Sequence, residues 1–365
     1  MKNLQTIKAF YRLVDTKSLG LSMAHRLVSE LGDPTEYVGK NSKHWAEVNY
    51  LKPEVLEALQ HDTDPRAWEK IANFIENLPN FKFITVLDDE YPECLKNIYQ
   101  PPLFLTAFGD ITLLKCDDII SIVGTRKPTY YGKKVTEKIA QSLVLNQFIV
   151  CSGLALGIDS AAHKATIENN GLTIAVLAGG LNSIYPPQNK DLANKIVENG
   201  LIISENMPCL PFEKYHFPQR NRIIAGISKA VCVIEGKRQS GALGTGRYAL
   251  EQGREVYALP GDIFKPEAEG PNSLILQGAK IILTPQDIVT DFRTEYHVNK
   301  PEKVIDLTDE EKIIFNIIKD NSPEIHMDQL IQGTGYSIGK MSGVLLLLEM
   351  KNAIRTTESG KYSIT

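Results

Sequence analysis

Strand-like and helix-like segments alternate along residues 81–292, and this alternation constrains the fold more than any other feature of the sequence. Longer segments with apolar residues at helical spacing separate six short apolar runs, which are IISIV, FIVCS, LTIAVLAGG, LIISE, AVCVIEG and EVYALPG. Continuous apolar strands that alternate with helices are typical of a parallel sheet covered on both faces. We therefore predict an α/β fold in which residues 81–292 form a Rossmann-like, doubly wound, mostly parallel sheet.

The N-terminal segment follows a different pattern. Residues 1–80 contain no strand-like run, and their apolar residues recur at three- and four-residue spacing in IKAFYRLV, SMAHRLVSELG and LKPEVLEALQH. We predict a small all-α domain here. It is either of the helix-hairpin-helix (SAM-like) type that binds nucleic acid or of a type that only packs or docks onto protein. The polar segment 293–307 is predicted to be a linker.

The C-terminal segment 308–365 has the pattern of a winged helix. Thr308 and Glu311 have the spacing of a capping box at a helix start. Two further helical segments follow, and the last residues alternate around Ser359-Gly360 as in a β-hairpin. The third helix offers only Lys340 and Lys351 as basic side chains toward DNA. DNA reading and protein docking therefore both remain open for this domain.

Composition and motifs exclude several function classes. The 365 residues carry a formal net charge of −4, so a nucleic-acid site would have to be a local basic patch. The sequence lacks P-loop, nucleophile-elbow and zinc-ligand spacings, and its five cysteines form no CxxC pair. We predict no metal and no cofactor. Because no signal-peptide pattern and no apolar run of membrane length occur, we expect a cytoplasmic protein without membrane insertion.

One segment resembles a dinucleotide-binding fingerprint. Residues 244–249 have the sequence GTGRYA, which matches G-x-G-x-x-A, and Asp262 follows after the next strand. In that fingerprint the first glycine lies in the tight turn directly after the strand. Here GKRQSGAL separates the preceding strand from Gly244. We therefore predict that Gly244 and Gly246 lie inside a helix and that no dinucleotide is bound.

Four other segments carry chemistry suited to phosphate. They are SIVGTR, SGLALGIDSAAHK, KYHFPQRNRIIAG and GKRQSGALGTG, each interpreted as following a strand. The carboxyl ends of parallel strands share one edge of a sheet, where helix N-termini and arginines bind phosphate and an aromatic ring stacks on a base. The candidate binding residues are Gly124, Thr125, Arg126, Ser152, Gly153, Lys164, Lys214, Phe217, Arg220, Asn221, Arg222, Lys237, Ser240 and Gly241.

Several side chains in these segments also have structural interpretations. Asp159 either caps a helix or acts as an acid, and His163 either packs against its surroundings or acts as a base. Arg222 either ties loops together or contacts a ligand, and Phe217 either stacks on a base or belongs to the core. Arg126 is the strongest functional candidate, because a Gly-Thr-Arg at a strand end has few structural reasons to be there.

Five motifs in their order along the chain resemble the DNA-processing protein A family, also called DprA or Smf. They lie within residues 81–290 and are SIVGTR, SGLALGIDSAAH, FPQRNRIIAGIS, SGALGTGRYALEQGREVYALPG and GPNSLILQGA. The flanking domains also fit the layout of that family. The chain departs from the family pattern at Gly246, where many members have Ala, at Pro271, where Thr, Ser or Cys is expected, and at Glu235-Gly236, where Glu-Ala is more common.

The resemblance implies a function. Family members bind single-stranded DNA and pass it to a RecA-type recombinase during natural transformation, generally as homodimers through the Rossmann-like domain. Carried over by motif, Arg126 would hold a backbone phosphate, and Lys214 and Phe217 would contact a phosphate and stack on a base. Residues 220–222 would complete the pocket. No catalytic turnover is implied.

Two other function classes remain. Related Rossmann-like enzymes cleave nucleoside monophosphates with a glycine-rich segment and a glutamate, and SGALGTGRYALEQG with Glu251 is faintly similar to that arrangement. The third class is an adaptor that only docks onto protein. Affinity that increases with oligonucleotide length favours DNA binding, and release of a free base from a nucleotide favours the enzyme. If neither result is observed, the adaptor is favoured.

Overall fold

The computed structural model describes residues 2–41, 43–61, 65–211, 213–294, 307–320, 325–351, 353–356 and 361–364. The chain forms two compact units, Met1–Val298 and Asn299–Thr365. Most of the predicted linker and the predicted turn at Ser359-Gly360 lie outside the described residues. The domain boundaries stay predictions. No helix among the described residues is long and apolar enough to cross a membrane.

The described part of the first unit contains one sheet of nine strands. These are β1 (Lys82–Thr85), β2 (Phe104–Gly109), β3 (Ile119–Val123), β4 (Ile149–Ser152), β5 (Thr173–Val176), β6 (Leu201–Ser204), β7 (Ala230–Val233), β8 (Glu255–Ala258) and β9 (Lys280–Ile281). Their order across the sheet is β1-β2-β6-β5-β4-β3-β7-β8-β9. The six predicted apolar runs contain β3 to β8.

The order of the strands creates a switch point in the sheet. From β3 the chain proceeds through β4, β5 and β6 in one direction, whereas β7, β8 and β9 continue on the other side of β3, and all these pairs are parallel. The loops that leave β3 and β7 therefore diverge. In open α/β sheets a ligand binds beyond the carboxyl ends of the strands at such a point. The predicted doubly wound, mostly parallel sheet is confirmed.

Helices cover both faces of this sheet. The α-helices in the described part of the first unit are α1 (Leu4–Asp15), α2 (Leu21–Leu31), α3 (Pro53–Gln60), α4 (Pro65–Asn77), α5 (Glu93–Lys96), α6 (Tyr130–Leu145), α7 (Ile158–Glu168), α8 (Lys190–Asn199), α9 (His216–Gly226), α10 (Gly241–Glu251), α11 (Pro266–Leu276) and α12 (Gln286–Thr290). Along β3, Ile119 and Val123 pack into the core on one face, and Ile120 and Ile122 pack on the other. Both faces of the sheet are therefore buried, which explains why the sequence shows runs of mainly apolar residues here.

The segment KYHFPQRNRIIAG differs from the prediction. It does not lie directly at a strand end, because a loop follows β6 and the segment then forms α9. Pro218 does not break this helix, since it lies in the first turn, where backbone N–H groups have no intrahelical acceptor. The apolar residues Ile223 and Ile224 then bury the helix against the sheet. Gly244 and Gly246 lie inside α10, as predicted.

The N-terminal helices pack onto one edge of the sheet. This edge is formed by two strands, β1 and β2, that the sequence did not predict. There β1 and β2 continue the sheet beyond β6 in antiparallel pairing. Phe10 of α1 contacts Phe83 edge-on, with ring centroids 6.2 Å apart, and Phe83 stacks on Phe104 at 4.7 Å. These rings belong to one apolar core that α1 to α4 share with β1 and β2. The N-terminal helices are therefore held against the sheet within one unit.

The second unit is a winged helix, as predicted. Its elements are α13 (Asp309–Asp320), α14 (Met327–Thr334), α15 (Ile338–Met350) and the antiparallel pair β10 (Ile354–Thr356) and β11 (Tyr362–Ile364). The predicted capping box is formed, since the Thr308 N–H donates to Glu311 Oε2 at 2.6 Å and the Glu311 N–H donates to Thr308 Oγ1 at 3.4 Å.

Lys340 in α15 and Lys351, which directly follows that helix, are both engaged in ion pairs. Lys340 Nζ lies 2.7 Å from Glu310 Oε1, and Lys351 Nζ lies 2.7 Å from Glu311 Oε2. A lysine that binds a phosphate must first leave its carboxylate partner. Lys340 and Lys351 therefore offer DNA less available positive charge than the sequence suggests.

Candidate nucleic-acid interface

A cavity of about 540 Å³ opens at the switch point, beyond the carboxyl ends of β3 and β7. Its walls come from the loop after β3, from α9 and from the first turns of α10. Nine of the sequence candidates line it, namely Gly124, Thr125, Arg126, Phe217, Arg220, Asn221, Lys237, Ser240 and Gly241. Three segments that are distant in the sequence therefore meet at one site.

Glu235, the second residue after β7, holds the loop that carries Arg126. Its backbone carbonyl accepts the Thr125 N–H at 2.7 Å, and its carboxylate accepts the N–H and the hydroxyl of Thr129 at 2.8 and 2.5 Å. The same Thr129 hydroxyl caps α6 by accepting the Gly132 N–H at 3.0 Å. A Cβ at Gly132 would lie 2.4 Å from the Glu235 carboxyl carbon, so this position needs glycine. The loop is thereby fixed at both ends.

Arg126 and Phe217 are in contact in the cavity. The guanidinium carbon of Arg126 lies 5.1 Å from the centroid of the Phe217 ring. Tyr185 contacts the same ring edge-on, with centroids 5.8 Å apart. Arg126 is exposed and Phe217 is half-buried, so Phe217 borders the cavity and is not enclosed in the core. A cation beside an accessible ring can hold a phosphate and a stacked base together.

The N-terminus of α10 forms another wall of the cavity. Ser240 occupies the N-cap position and Gly241 begins the helix, next to the exposed Lys237. The first N–H groups of a helix lack intrahelical acceptors and favour an anion. The Asn221 side-chain amide donates to the Gly241 carbonyl at 3.1 Å, which joins α9 to α10. This wall therefore suits a phosphate.

Arg220 is part of the framework of the site. Its buried guanidinium donates to the carbonyl of Gly153 at 2.7 Å and to the carbonyl of Val176, and so it ties the ends of β4 and β5 together. A Cβ at Gly153 would lie 2.4 Å from Arg220 Nη1, so glycine leaves room for this contact. Burial lowers the pKa of the Arg220 guanidinium, and the nearby Asp159 carboxylate opposes that change.

Asp159 and His163 are both held in the framework as well. The Asp159 carboxylate accepts the N–H groups of Gly153 and Ala155 at 3.1 and 3.4 Å, and burial raises its pKa. It is the second residue of α7 and does not occupy the N-cap. His163 is fully buried, its Nδ1 lies 2.7 Å from the Thr173 hydroxyl, and burial lowers its pKa to about 3. A histidine in this position is a packed residue.

Five sequence candidates do not line the cavity, namely Ser152, Gly153, Lys164, Lys214 and Arg222. The buried Ser152 hydroxyl donates to the Ile122 carbonyl at 2.6 Å, which holds β4 to β3. Arg222 is buried and forms an ion pair with Glu205. Lys164 and Lys214 are exposed on the surface. Gly153 borders a smaller recess that it shares with Arg126 and Phe217.

The structure also adds residues that the sequence analysis missed. Lys127, Ala155, Gln239, Ala242, Thr245 and Glu267 line the cavity. Lys127 directly follows the predicted segment SIVGTR, and Gln239 lies inside GKRQSGALGTG, so both are within reach of the sequence motifs. Glu235 has a sequence signal too, because a carboxylate directly after an apolar strand is expensive to bury without partners. Tyr185 reaches the site from a loop and Glu267 from the first turn of α11, and no local pattern indicates either approach.

The roles of Arg220 and Arg126 predict different effects on stability. Arg220→Met should lower the free energy of unfolding by about 3 kcal/mol, because two buried carbonyls and the Asp159 carboxylate lose their cation. Arg126→Met removes an exposed side chain and should change it by less than about 0.5 kcal/mol. Urea unfolding followed by circular dichroism measures both. Equal losses for the two variants would contradict the structural assignment of Arg220.

Two family models match this chain. The one described as DNA recombination-mediator protein A matches residues 82–293, and the DprA winged helix domain matches residues 299–360. The chain is 48% identical over 205 residues to the DNA processing protein DprA of Bacillus subtilis, which covers 56% of this chain and 69% of that protein. It is 42% identical over 221 residues to the Streptococcus pneumoniae protein of the same name, with coverages of 60% and 78%.

Two solved structures are similar in fold and sequence. The X-ray structure of DNA processing protein A from Streptococcus pneumoniae has a TM-score of 0.67 and 34% identity, and the match covers 81% of this chain and 99% of that one. A Helicobacter pylori structure, whose subject is the single-stranded DNA binding mode of DNA processing protein A, has a TM-score of 0.54 and 30% identity, with coverages of 60% and 98%. The resemblance seen in the sequence is confirmed, and the chain belongs to the family of DNA recombination-mediator protein A.

Proposed function

We propose that this protein binds single-stranded DNA in the cavity at the switch point. The observation that carries the proposal is the contact between the exposed Arg126 guanidinium and the accessible ring of Phe217. Together they offer a forked donor for a phosphate and a π-face for an unpaired base. The Helicobacter pylori relative is described as binding single-stranded DNA, which supports the same ligand here.

The other residues at the cavity divide into contacts and supports. Lys127 and Lys237 are exposed at its rim, where they would follow the phosphate backbone beside Arg126. The α10 N-terminus at Ser240 and Gly241 would hold a further phosphate. Gly124 and Thr125 would let the DNA strand approach the carboxyl end of β3. Lys164 and Lys214 would contact the DNA only where the strand leaves the cavity and continues over the protein surface.

We also propose that the bound strand is passed to a RecA-type recombinase during natural transformation in the cytoplasm. Family membership supports this step. The switch-point cavity supports it too, because it would hold the DNA backbone and a stacked base whatever the DNA sequence. The rate of recombinase filament formation on DNA coated with single-strand-binding protein tests it. The full chain should accelerate that formation, and an unchanged rate would contradict the proposal.

The exposed edge at β9 supports the proposal that the protein is a homodimer. Large apolar side chains surround this edge and are exposed, namely Ile263, Phe264, Leu276, Ile281 and Leu283. Such a patch beside an open strand edge is typical of an interface between proteins. Sedimentation equilibrium of the full chain should give the mass of a dimer. A monomer at every concentration up to the micromolar range would overturn this proposal.

The geometry gives less support to a nucleotide-cleaving enzyme. Glu251, on which that alternative depends, is exposed at the last residue of α10 and does not line the cavity. The Asp159 carboxylate does line it but is held by two backbone N–H groups. We therefore propose binding without turnover.

Arg126→Ala and Arg238→Ala form a matched pair for testing the binding site. Arg126 lines the cavity on a loop fixed by Glu235, whereas Arg238 is exposed outside it. Loss of an ordered charge-assisted contact should weaken binding about 10- to 150-fold, and loss of a screened surface charge by less than about fivefold.

Fluorescence anisotropy with a labelled oligothymidine of about 20 nucleotides measures both affinities. Circular dichroism provides the control for folding. Equal affinities of the two variants would refute the assignment of the cavity, and no binding by the unmodified protein would favour the adaptor.

A further inference from the structure

A second cavity, of about 490 Å³, lies between the N-terminal helices and the sheet. Residues of α1 and the loop to α2 form one wall, and the segments after β6 and the start of α9 form the other. Both walls belong to the same compact unit. Neither the proposed function nor the family models assign this cavity a role.

The helix α9 separates this second cavity from the first. Phe217, Arg220 and Asn221 line the first cavity, whereas Tyr215, His216 and Gln219 line the second. The rings of Tyr215 and His216 are in contact, with centroids 4.2 Å apart, and Tyr215 is 56% exposed. Three consecutive ring-bearing residues therefore lead from one cavity to the other over the first turn of α9.

The separation of the two cavities suits a continuous DNA strand that occupies both. A helix is about 10 Å across, and a few nucleotides of an unpaired strand can span that distance. A strand with one base on Phe217 can therefore place a base a few nucleotides away against Tyr215. Lys214 directly precedes these rings and is exposed, so it can accompany the backbone over the turn.

The chemistry of the second cavity suits a base and not a phosphate. Its carboxylates, from Asp15 and Glu205, outnumber its one arginine, Arg222, which is already paired with Glu205. Side-chain amides of Gln100, Asn206 and Gln219 also line it. Amides donate and accept hydrogen bonds, as the edges of unpaired bases do.

Arg222 provides a further indication that the second cavity binds a polar ligand. The side chain is 5% exposed, and its Nη1 has no hydrogen-bond partner among the described residues. A buried donor without a partner is costly, at about 1–3 kcal/mol. A polar ligand or ordered water in the cavity would remove part of that cost.

We propose that the second cavity is a base-binding subsite for the same single strand, in which Tyr215 stacks on an unpaired base and the amides contact its edge. This inference rests on the proposed function, because the strand reaches the subsite from the Phe217 cavity. It also assigns the N-terminal helices a role, since they close the subsite with residues of α1 and the loop to α2.

Two oligonucleotide lengths test the proposal. An oligothymidine of about two nucleotides is too short to occupy both cavities, whereas one of about 20 nucleotides reaches both. Tyr215→Leu removes the π-face and should weaken binding of the long oligonucleotide about 5- to 100-fold while leaving the short one unchanged. Tyr215→Phe keeps the ring and should retain the affinity. Tyr131→Leu is the control, because Tyr131 is 55% exposed and lines neither cavity.

Phe217→Leu separates failure of this inference from failure of the proposed function. If Phe217→Leu weakens both oligonucleotides but Tyr215→Leu weakens neither, or weakens both equally, the second subsite is wrong and the first stands. If Phe217→Leu weakens neither, the proposed function itself is wrong.

Hydrogen exchange provides a readout that needs no variant. The long oligonucleotide should slow amide exchange in residues 13–21, which border the second cavity, and the short one should not. No slowing by the long oligonucleotide would overturn the proposal.

Discussion

The site depends on the hydrogen bonds that Glu235 makes across the switch point. Its carbonyl holds Thr125 and its carboxylate holds Thr129, so the loop after β3 is anchored to the end of β7. Burying a carboxylate is costly unless it is well partnered, and here the partners belong to the loop that presents Arg126. The orientation of a flexible arginine is therefore set by a rigid framework, which lowers the entropy lost when it binds a phosphate.

The helix α9 is fixed in a similar way by two buried arginines. Arg220 binds the carbonyls at the ends of β4 and β5, and Arg222 pairs with Glu205 on the other side of the helix. Two residues apart on a helix, these side chains point in nearly opposite directions. Because α9 is held from both sides, its first turn can present Tyr215 and Phe217 to two different cavities. The two buried arginines thus position the rings of Tyr215 and Phe217.

The sequence predicts β3 to β8 well because helices bury both faces of the sheet, so these strands are rich in apolar residues. It also places Arg126 and the start of α10 at the cavity, since Arg126 closely follows β3 and a short loop joins β7 to α10. It does not distinguish Arg220, which is buried, from Arg126, which is exposed, because the burial of a guanidinium depends on carbonyls from distant strands. The antiparallel pairing of β1 and β2 with the sheet, and the second cavity, depend on packing between segments that are distant in the sequence.

The central claim is that the cavity at the switch point accepts unpaired bases. Competition between a single strand and a duplex of equal length, measured by anisotropy over a range of salt concentrations, tests it most directly. The single strand should bind at least about 10-fold tighter than the duplex, because the faces of paired bases are not open to Phe217. The affinity should also fall steeply with salt, because arginine and lysine displace counterions. Equal or tighter binding of the duplex, or an affinity independent of salt, would show that the cavity does not bind unpaired bases in this way.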